Sequence, residues 1–216
     1  MAEQRGPEGR HPADGMRSHA MLSCEGVILA AGLSTRAGCP KMELPLGDTT
    51  VIQRSVESMV EVVSRVIVVV GWGAERIRQL LALYSQVEIV PNDDYRAGMF
   101  TSVKAGIAHV QAESFFLLPG DHPLVRVDTY WRLLMAGAEI AIPTFRGRKG
   151  HPVLVASRLI PEILAEPGAS SLREYIGRAG FTLVDVPDEG VTLDIDTMED
   201  YRSALQRGPD RKEGSG

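Results

Sequence analysis

Short runs of apolar, mostly β-branched residues alternate along this chain with longer stretches whose apolar residues recur at helical spacing, and no other feature narrows its fold as far. Residues 27–31, 65–70, 87–90, 114–118, 140–143, 151–156 and 181–186 read as strands. Between and after them, residues 51–63, 74–83, 99–110, 127–136, 159–164, 171–178 and 197–205 read as helices. The run Val66-Ile-Val-Val-Val70 has no polar alternation, which is the pattern of a strand covered on both faces. Strands joined through helices pair in parallel by right-handed crossovers. The expected fold is therefore a single three-layer, Rossmann-like α/β domain over residues 24–206, with helices on both sides of a mostly parallel mixed sheet. Ligands of such sheets bind at the carboxyl ends of the strands, near the reversal in strand order. Residues 1–23 and 207–216 are rich in Gly, Pro, Arg and Glu without an apolar period, and read as a disordered leader and tail. Met16 and Met21 are alternative starts.

Composition closes off several functional classes. A net charge of −5 leaves no basic face for nucleic acid, so an anionic ligand has to be held by local cations. The two cysteines, Cys24 and Cys39, have no metal-ligand spacing and no disulfide framework around them, which suits a reducing compartment. No apolar run approaches the length of a membrane span, and no secretory h-region follows the N-terminal basic residues. The expectation is a cytoplasmic protein without a membrane or nucleic-acid partner.

Chemistry concentrates first in Gly26-Val-Ile-Leu-Ala-Ala-Gly-Leu-Ser-Thr-Arg-Ala-Gly-Cys-Pro-Lys41. A buried strand runs out at Gly32 into a loop with two glycines, Ser34, Thr35, Arg36 and Lys41. Glycines let backbone N–H groups converge on an anion, and two nearby cations suit a polyphosphate, Arg36 as a fork and Lys41 as a point charge. The spacing is neither that of a P-loop, which Gly32 and Gly38 miss by one residue, nor that of a dinucleotide fingerprint, which Leu33-Ser34 breaks. A phosphate site and an ordinary turn with solvated basic residues both fit. Gly71-Trp-Gly73 lacks the third glycine of such a fingerprint and reads as a tight turn.

Three further constellations stand out. Asp121 directly follows the apolar strand at 115–118, where a carboxylate either ligates a metal–nucleotide complex or caps the next turn. Asp194 and Asp196 lie on one side of an extended segment, and Asp196 is either a second metal ligand or the N-cap of the last helix, a role Thr197 also fits. The segment Arg146-Gly-Arg-Lys-Gly-His-Pro-Val153 is a basic hairpin that receives an anionic ligand or is simply solvated. Met99, Val103, Ile107 and Val110 fall at helical spacing as a core face.

Leu29-Ala-Ala-Gly-x-Ser-x-Arg-x-Gly-x-x-Lys41 resembles the signature loop of the MobA-like nucleotidyltransferases, most closely the branch that cytidylylates the molybdenum cofactor. Gly120-Asp-His-Pro-Leu124 is similar to the family's metal motif, with His122 lining the site at its variable position. Asp194-Ile-Asp196-Thr-x-Glu-Asp200 matches a third segment, and the run from Pro91 through Gly98-Met99 to Ser102 a fourth. Asp93 stands where the fourth usually has Pro. Gly150-His-Pro152 is similar to the acceptor-side motif, whereas Glu166-Pro-Gly-Ala-Ser170 departs from the Gly-Asp-x-Gly-Ala-Arg pattern and carries no acceptor Arg.

The resemblance implies a Mg²⁺-dependent transfer of CMP from CTP to a molybdopterin-type cofactor, with release of pyrophosphate and an apo molybdenum hydroxylase as client. It assigns Leu29, Ala30, Ala31, Gly32, Ser34, Arg36, Lys41, Gly98 and Ser102 to the nucleotide. Asp121 and Asp196 fall to the metal, and Arg148, Lys149 and His151 to the acceptor. Arg36, Lys41 and Asp121 carry catalysis. The guanylyl branch usually has Gly where this chain has Ala31, so the Ala31 methyl is expected to narrow the base pocket towards a pyrimidine. The alternatives are a guanylyl- or sugar-phosphate nucleotidyltransferase of the same fold, and a non-catalytic carrier of finished cofactor.

Overall fold

A computed structural model of the chain describes residues 23–32, 40–71 and 73–207. Apart from Ser23 and Arg207, the expected leader and tail lie outside these residues, as do Ser34, Arg36, Cys39 and Trp72. In chain order the elements are β1 (Cys24–Ala30), a 3₁₀ turn (Lys41–Glu43), the small hairpin β2 (Pro45–Leu46) and β3 (Thr49–Thr50), and α1 (Val51–Val60). There follow β4 (Val66–Val70), α2 (Ala74–Leu81), β5 (Val87–Pro91), α3 (Met99–Ile107), β6 (Ser114–Pro119) and α4 (Val127–Met135). The chain closes with β7 (Ile140–Phe145), β8 (Arg148–Lys149), β9 (Val153–Ala156), α5 (Ile160–Ala165), α6 (Leu172–Ala179), β10 (Thr182–Asp185) and α7 (Met198–Arg207).

The main sheet runs β10-β7-β9-β6-β1-β4-β5, with β8 on β7. Strand β1 is central and parallel to both β4 and β6. The chain winds outward from β1 through β4 to β5, then returns to lay β6 on the other side of β1, so the order reverses there. Strand β9 is antiparallel to β6 and β7. That direction follows from the turn at Arg146-Gly147, where positive φ values of 49° and 76° reverse the chain within two residues and leave no room for a helical crossover.

Side chains alternate across the central strands, and each face meets its own helical layer. Ile28, Val68 and Phe116 belong to the cluster that includes Val56 of α1, Ile77 of α2, Tyr130 of α4 and Ala204 of α7. Val27, Val69 and Phe115 belong to the opposite cluster, with Ile107 of α3, Ile163 of α5 and Ile176 of α6. All seven residues of β1 are buried, as a doubly covered strand requires. Two helices start with reciprocal capping boxes, Thr50 with Gln53 and Ser171 with Glu174, each satisfying two otherwise orphaned N–H groups.

The helices expected over 51–63 and 99–110 end three residues early, at Val60 and Ile107, and two further expectations differ. Residues 151 and 152 are not part of a strand, and pairing resumes only at Val153. Met99 is 68% exposed, although Val103 and Ile107 at the same helical spacing are buried. Met99 is the first residue of α3, and one turn further on the same face sinks beneath the sheet.

Candidate active site

The site is assembled from the carboxyl ends of β1 and β6, which lie side by side in the register Leu29–Pro119. Gly120 N–H continues that pairing to Leu29 O at 2.9 Å. Gly120 is tightly held: a Cβ there would come within 3.1 Å of Ile52 Cδ1 and 3.2 Å of Leu29 O. The Ser55 hydroxyl, wholly buried on α1, donates to Gly120 O at 3.0 Å, so the backbone leading into Asp121 is fixed from a second direction. Ile195 N–H donates to Asp121 O at 3.0 Å and draws the segment before α7 alongside. That contact brings Asp196 next to Asp121.

Lys41, at the first position of the 3₁₀ turn, closes the group from the other side. Its ammonium donates to Asp121 Oδ2 at 2.6 Å and to Asp196 Oδ1 at 2.9 Å. The two readings of Asp196 separate here. Thr197 Oγ1 accepts from Asp200 N–H at 3.2 Å, while Asp200 Oδ2 accepts from Thr197 N–H at 2.7 Å and Asp196 N–H at 3.2 Å. Thr197 and Asp200 therefore cap α7 between them, and the Asp196 carboxylate is turned to Lys41 instead.

The charges reinforce one another. Burial alone would raise the Asp121 carboxyl, but the His122 hydrogen bond and the Lys41 ammonium outweigh it and bring it to about 2. Burial likewise works to lower Lys41, and the two carboxylates overcome it and raise the ammonium above its ordinary value. His122 Nδ1 lies 3.0 Å from Asp121 Oδ1, and its ring packs edge-to-face on His151 with centroids 5.0 Å apart. Burial, aided by His122, pushes His151 down to about 4, so its imidazole is neutral at pH 7. His151 Nδ1 is buried without a hydrogen-bond partner among the described residues.

Beside this group opens a cavity of about 550 Å³. Its walls are apolar, with Leu29 and Leu117 from the sheet, Phe100 and Val103 from α3 and Ile176 from α6. His151 and Pro119 reach it from the carboxylate side, and Lys149 and Arg173 bring cations to it. The Lys149 ammonium sits 3.9 Å from the centroid of the Phe181 ring, a cation–π contact. Arg173 is exposed in the first turn of α6 and makes no ion pair with another described residue.

Of the residues singled out in the sequence, Lys41, Asp121 and Asp196 converge on one point, and Lys149 and His151 line the adjoining cavity. Leu29, Ala30 and Ala31 are buried at the end of β1, and Gly32 is exposed just beyond. Ser34 and Arg36 lie outside the described residues. Gly98, at φ 121°, is the N-cap residue of α3, whose Met99 and Phe100 wall the cavity. Ser102 is buried, and its hydroxyl accepts from Asn92 Nδ2 at 2.9 Å. Arg148 stays exposed on the hairpin and is absent from the cavity wall. Sequence reasoning gave no role to Asn92, although it lies in the fourth matched segment, and missed two cavity residues altogether. Asn92 pins the β5–α3 connection by also donating to Thr101 Oγ1 and accepting from Asp94 N–H, an Asx turn its position after a strand could have signalled. Arg173 and Phe181 reach the cavity only through tertiary packing, and no local pattern marks them.

Among the described residues no group of three or more His, Cys, Asp or Glu forms a metal cage. Asp121 and Asp196 nevertheless fit a hard divalent cation, because both carboxylates already converge on one positive charge, the Lys41 ammonium. Two carboxylates suit an ion whose remaining oxygen ligands come from phosphates and water.

An open, mostly parallel sheet carrying this group at its switch point is the frame of a nucleotide-handling α/β enzyme. Residues 26–183 match the MobA-like NTP transferase domain, and the chain belongs to that family of nucleotidyltransferases. It is 33% identical, over 87% of its length and 98% of the relative's, to the molybdenum cofactor cytidylyltransferase of Escherichia coli K12. The crystal structure of Rv0371c from Mycobacterium tuberculosis H37Rv superposes with a TM-score of 0.74 at 30% identity, covering 86% of this chain and 99% of that one. A structure of Rv0371c in complex with manganese matches with a TM-score of 0.70 at 27% identity, over 86% of this chain and 98% of that one.

Proposed function

We propose that this nucleotidyltransferase moves CMP from CTP to the phosphate of a molybdopterin-type cofactor, with Mg²⁺ as the metal, and so serves the maturation of molybdenum hydroxylases. The observation that carries this reading is the juxtaposition of the Lys41–Asp121–Asp196 group with an apolar cavity that holds Lys149 and Arg173. One half suits a metal-bound triphosphate, the other a flat organic acceptor with an anionic end. The cytidylyltransferase of E. coli, the nearest in identity of the relatives described above, supports CTP and the molybdenum cofactor as substrates. The manganese complex of Rv0371c supports a divalent cation.

The chemistry asks little covalent work of the protein. A phosphate monoester has a second pKa near 6 and is mostly dianionic at neutral pH, so it is already a nucleophile and needs no activating base. Its oxygen forms a bond to the α-phosphorus as the bond to the β-phosphate oxygen breaks, and pyrophosphate leaves with that electron pair. The residues align the two partners and offset charge on the triphosphate. Backbone groups near Gly32, with Arg36 and Lys41, hold the triphosphate. Lys149 and Arg173 orient the acceptor, and neutral His151 lines its path without taking its proton. Asp121 and Asp196 would hold the metal, which would supply positive charge against the phosphates. The Ala31 methyl favours a pyrimidine by narrowing the space for the base.

The test is pyrophosphate release by the purified protein with Mg²⁺ and molybdenum cofactor, comparing CTP with GTP and ATP. Cofactor-dependent release with CTP is expected. Release with GTP alone would overturn the base assignment, and cofactor binding without release from any triphosphate would indicate a carrier.

A further inference from the structure

Lys41 stands where the cation would be. Its ammonium contacts both carboxylates, at 2.6 and 2.9 Å, and only 11% of its side chain is exposed. In the proposed reaction the same lysine is needed on the triphosphate, and the same carboxylates are needed on the metal. One ammonium cannot fully serve both. A compact charge on a flexible four-carbon stem is suited to moving between them, whereas the planar fork of an arginine is not. The main chain at Asp121 and Asp196 is held by contacts that do not involve Lys41, namely Ile195 N–H on Asp121 O and the Thr197–Asp200 cap, and His122 Nδ1 lies 3.0 Å from Asp121 Oδ1. The carboxylates can therefore stay in place while the lysine leaves. The ammonium is held by two carboxylates at hydrogen-bond distance, so a bare cation must break both bonds to enter, and two monodentate carboxylates are few of the oxygen ligands such an ion takes.

We propose that Lys41 and the divalent cation are alternative occupants of the Asp121–Asp196 pair, and that Lys41 passes from the carboxylates to the phosphates when a metal–triphosphate complex arrives. This rests on the nucleotidyl-transfer reading above and adds an order of events. The site rejects the free cation and admits the cation with its nucleotide. Exchange keeps the charges matched, since the anion that delivers the metal also takes over the displaced ammonium. The lysine thus prevents the carboxylates from being loaded unproductively, and the metal signals that a triphosphate is present.

The experiment is Mn²⁺ binding to nucleotide-free protein, followed by electron paramagnetic resonance, for wild type, Lys41→Met, Lys41→Gln and Lys41→Arg. Removing a competing charge a few ångströms from the ion should tighten Mn²⁺ binding roughly tenfold or more in the Met and Gln variants. Lys41→Gln keeps two N–H donors for the carboxylates and guards against a variant that fails to fold. Lys41→Arg keeps the charge and should bind Mn²⁺ as weakly as wild type. Adding Asp196→Asn to Lys41→Gln should abolish the gain. The proposal is overturned if folded neutral variants bind Mn²⁺ no tighter than wild type, if the Arg variant tightens as they do, or if the gain survives Asp196→Asn. No nucleotide or acceptor enters these titrations, so their failure would leave the CTP and cofactor assignment standing, and a failure of that assignment would leave the Mn²⁺ result readable.

Discussion

Replacing Asp121 by Asn removes one charge from the centre of the site while keeping its shape, and the structure sets the size of both effects. The carboxyl is held at about 2 against an ordinary 3.8, a difference worth about 2 kcal/mol of folded-state stability. Because the folded value is the lower one, this stabilisation is complete above the unfolded value and is lost as the pH falls towards 2. At pH 7 the Asn variant therefore lacks all of it. The larger cost of an orphaned buried charge, about 3–5 kcal/mol, does not apply, since Lys41 keeps Asp196 at 2.9 Å. Urea unfolding at pH 7 should show a cooperative transition about 2 kcal/mol weaker than wild type. Turnover measured by pyrophosphate release should fall much further, by roughly 10²–10³ or more, because the carboxylate would hold the metal that offsets charge developing on the phosphates. A folded variant within tenfold of wild-type turnover would refute the assignment of Asp121 to the metal of the reaction. An unchanged unfolding free energy would refute the electrostatic account of the pair.

Other expectations are as direct. Arg173→Glu should raise the KM for the acceptor by roughly tenfold or more and leave the KM for CTP unchanged, and an equal effect on both would remove Arg173 from the acceptor side. Ala31→Gly should raise activity with GTP relative to CTP, and an unaltered base preference in initial-rate assays would dismiss the methyl as a selector. His151 is pushed down to about 4 from 6.5, so the unfolded chain takes up a proton first as the pH falls. Stability is therefore flat above about pH 6.5 and declines towards pH 4, by about 3 kcal/mol from this residue, a slope that His151→Gln should remove. Identical pH profiles of wild type and variant in urea unfolding would contradict the buried neutral imidazole.

Much of the fold was legible because its signals are local. The continuously apolar run at 66–70 could only be a strand covered on both faces, and the clusters on either side of β4 show that covering. Glycine at 120 was legible as part of a motif, but its physical reason, the approach of Ile52 and the Leu29 carbonyl, was not. Asp196 shows the limit of local reading most clearly. Metal ligand and helix cap both fitted its sequence position, and only the structure shows that Thr197 and Asp200 fill the cap without the Asp196 side chain. Met99 was misread as core because helical spacing identifies a face and leaves open where along the helix that face enters the core. Arg148 and Lys149 were equivalent as neighbours in a basic segment, and only Lys149 lines the cavity, since adjacent residues on an extended strand point to opposite sides.

The layering, the mostly parallel sheet, the family and the residues gathered at the strand ends can all be read from the sequence, since strand and helix periods and loop motifs are written in neighbouring residues. Tertiary structure alone decided which of those residues meet. Lys41 is 80 positions from Asp121 and 155 from Asp196, and the three are brought together by the strand order that lays β6 against β1 and by one backbone hydrogen bond from Ile195. It likewise decided that Arg173 of α6 and Lys149 of β8 open on one cavity, although they lie in separate elements of the chain. Side-chain periodicity fixes the face a residue occupies, whereas a site needs the relative placement of several faces, and that is set by packing.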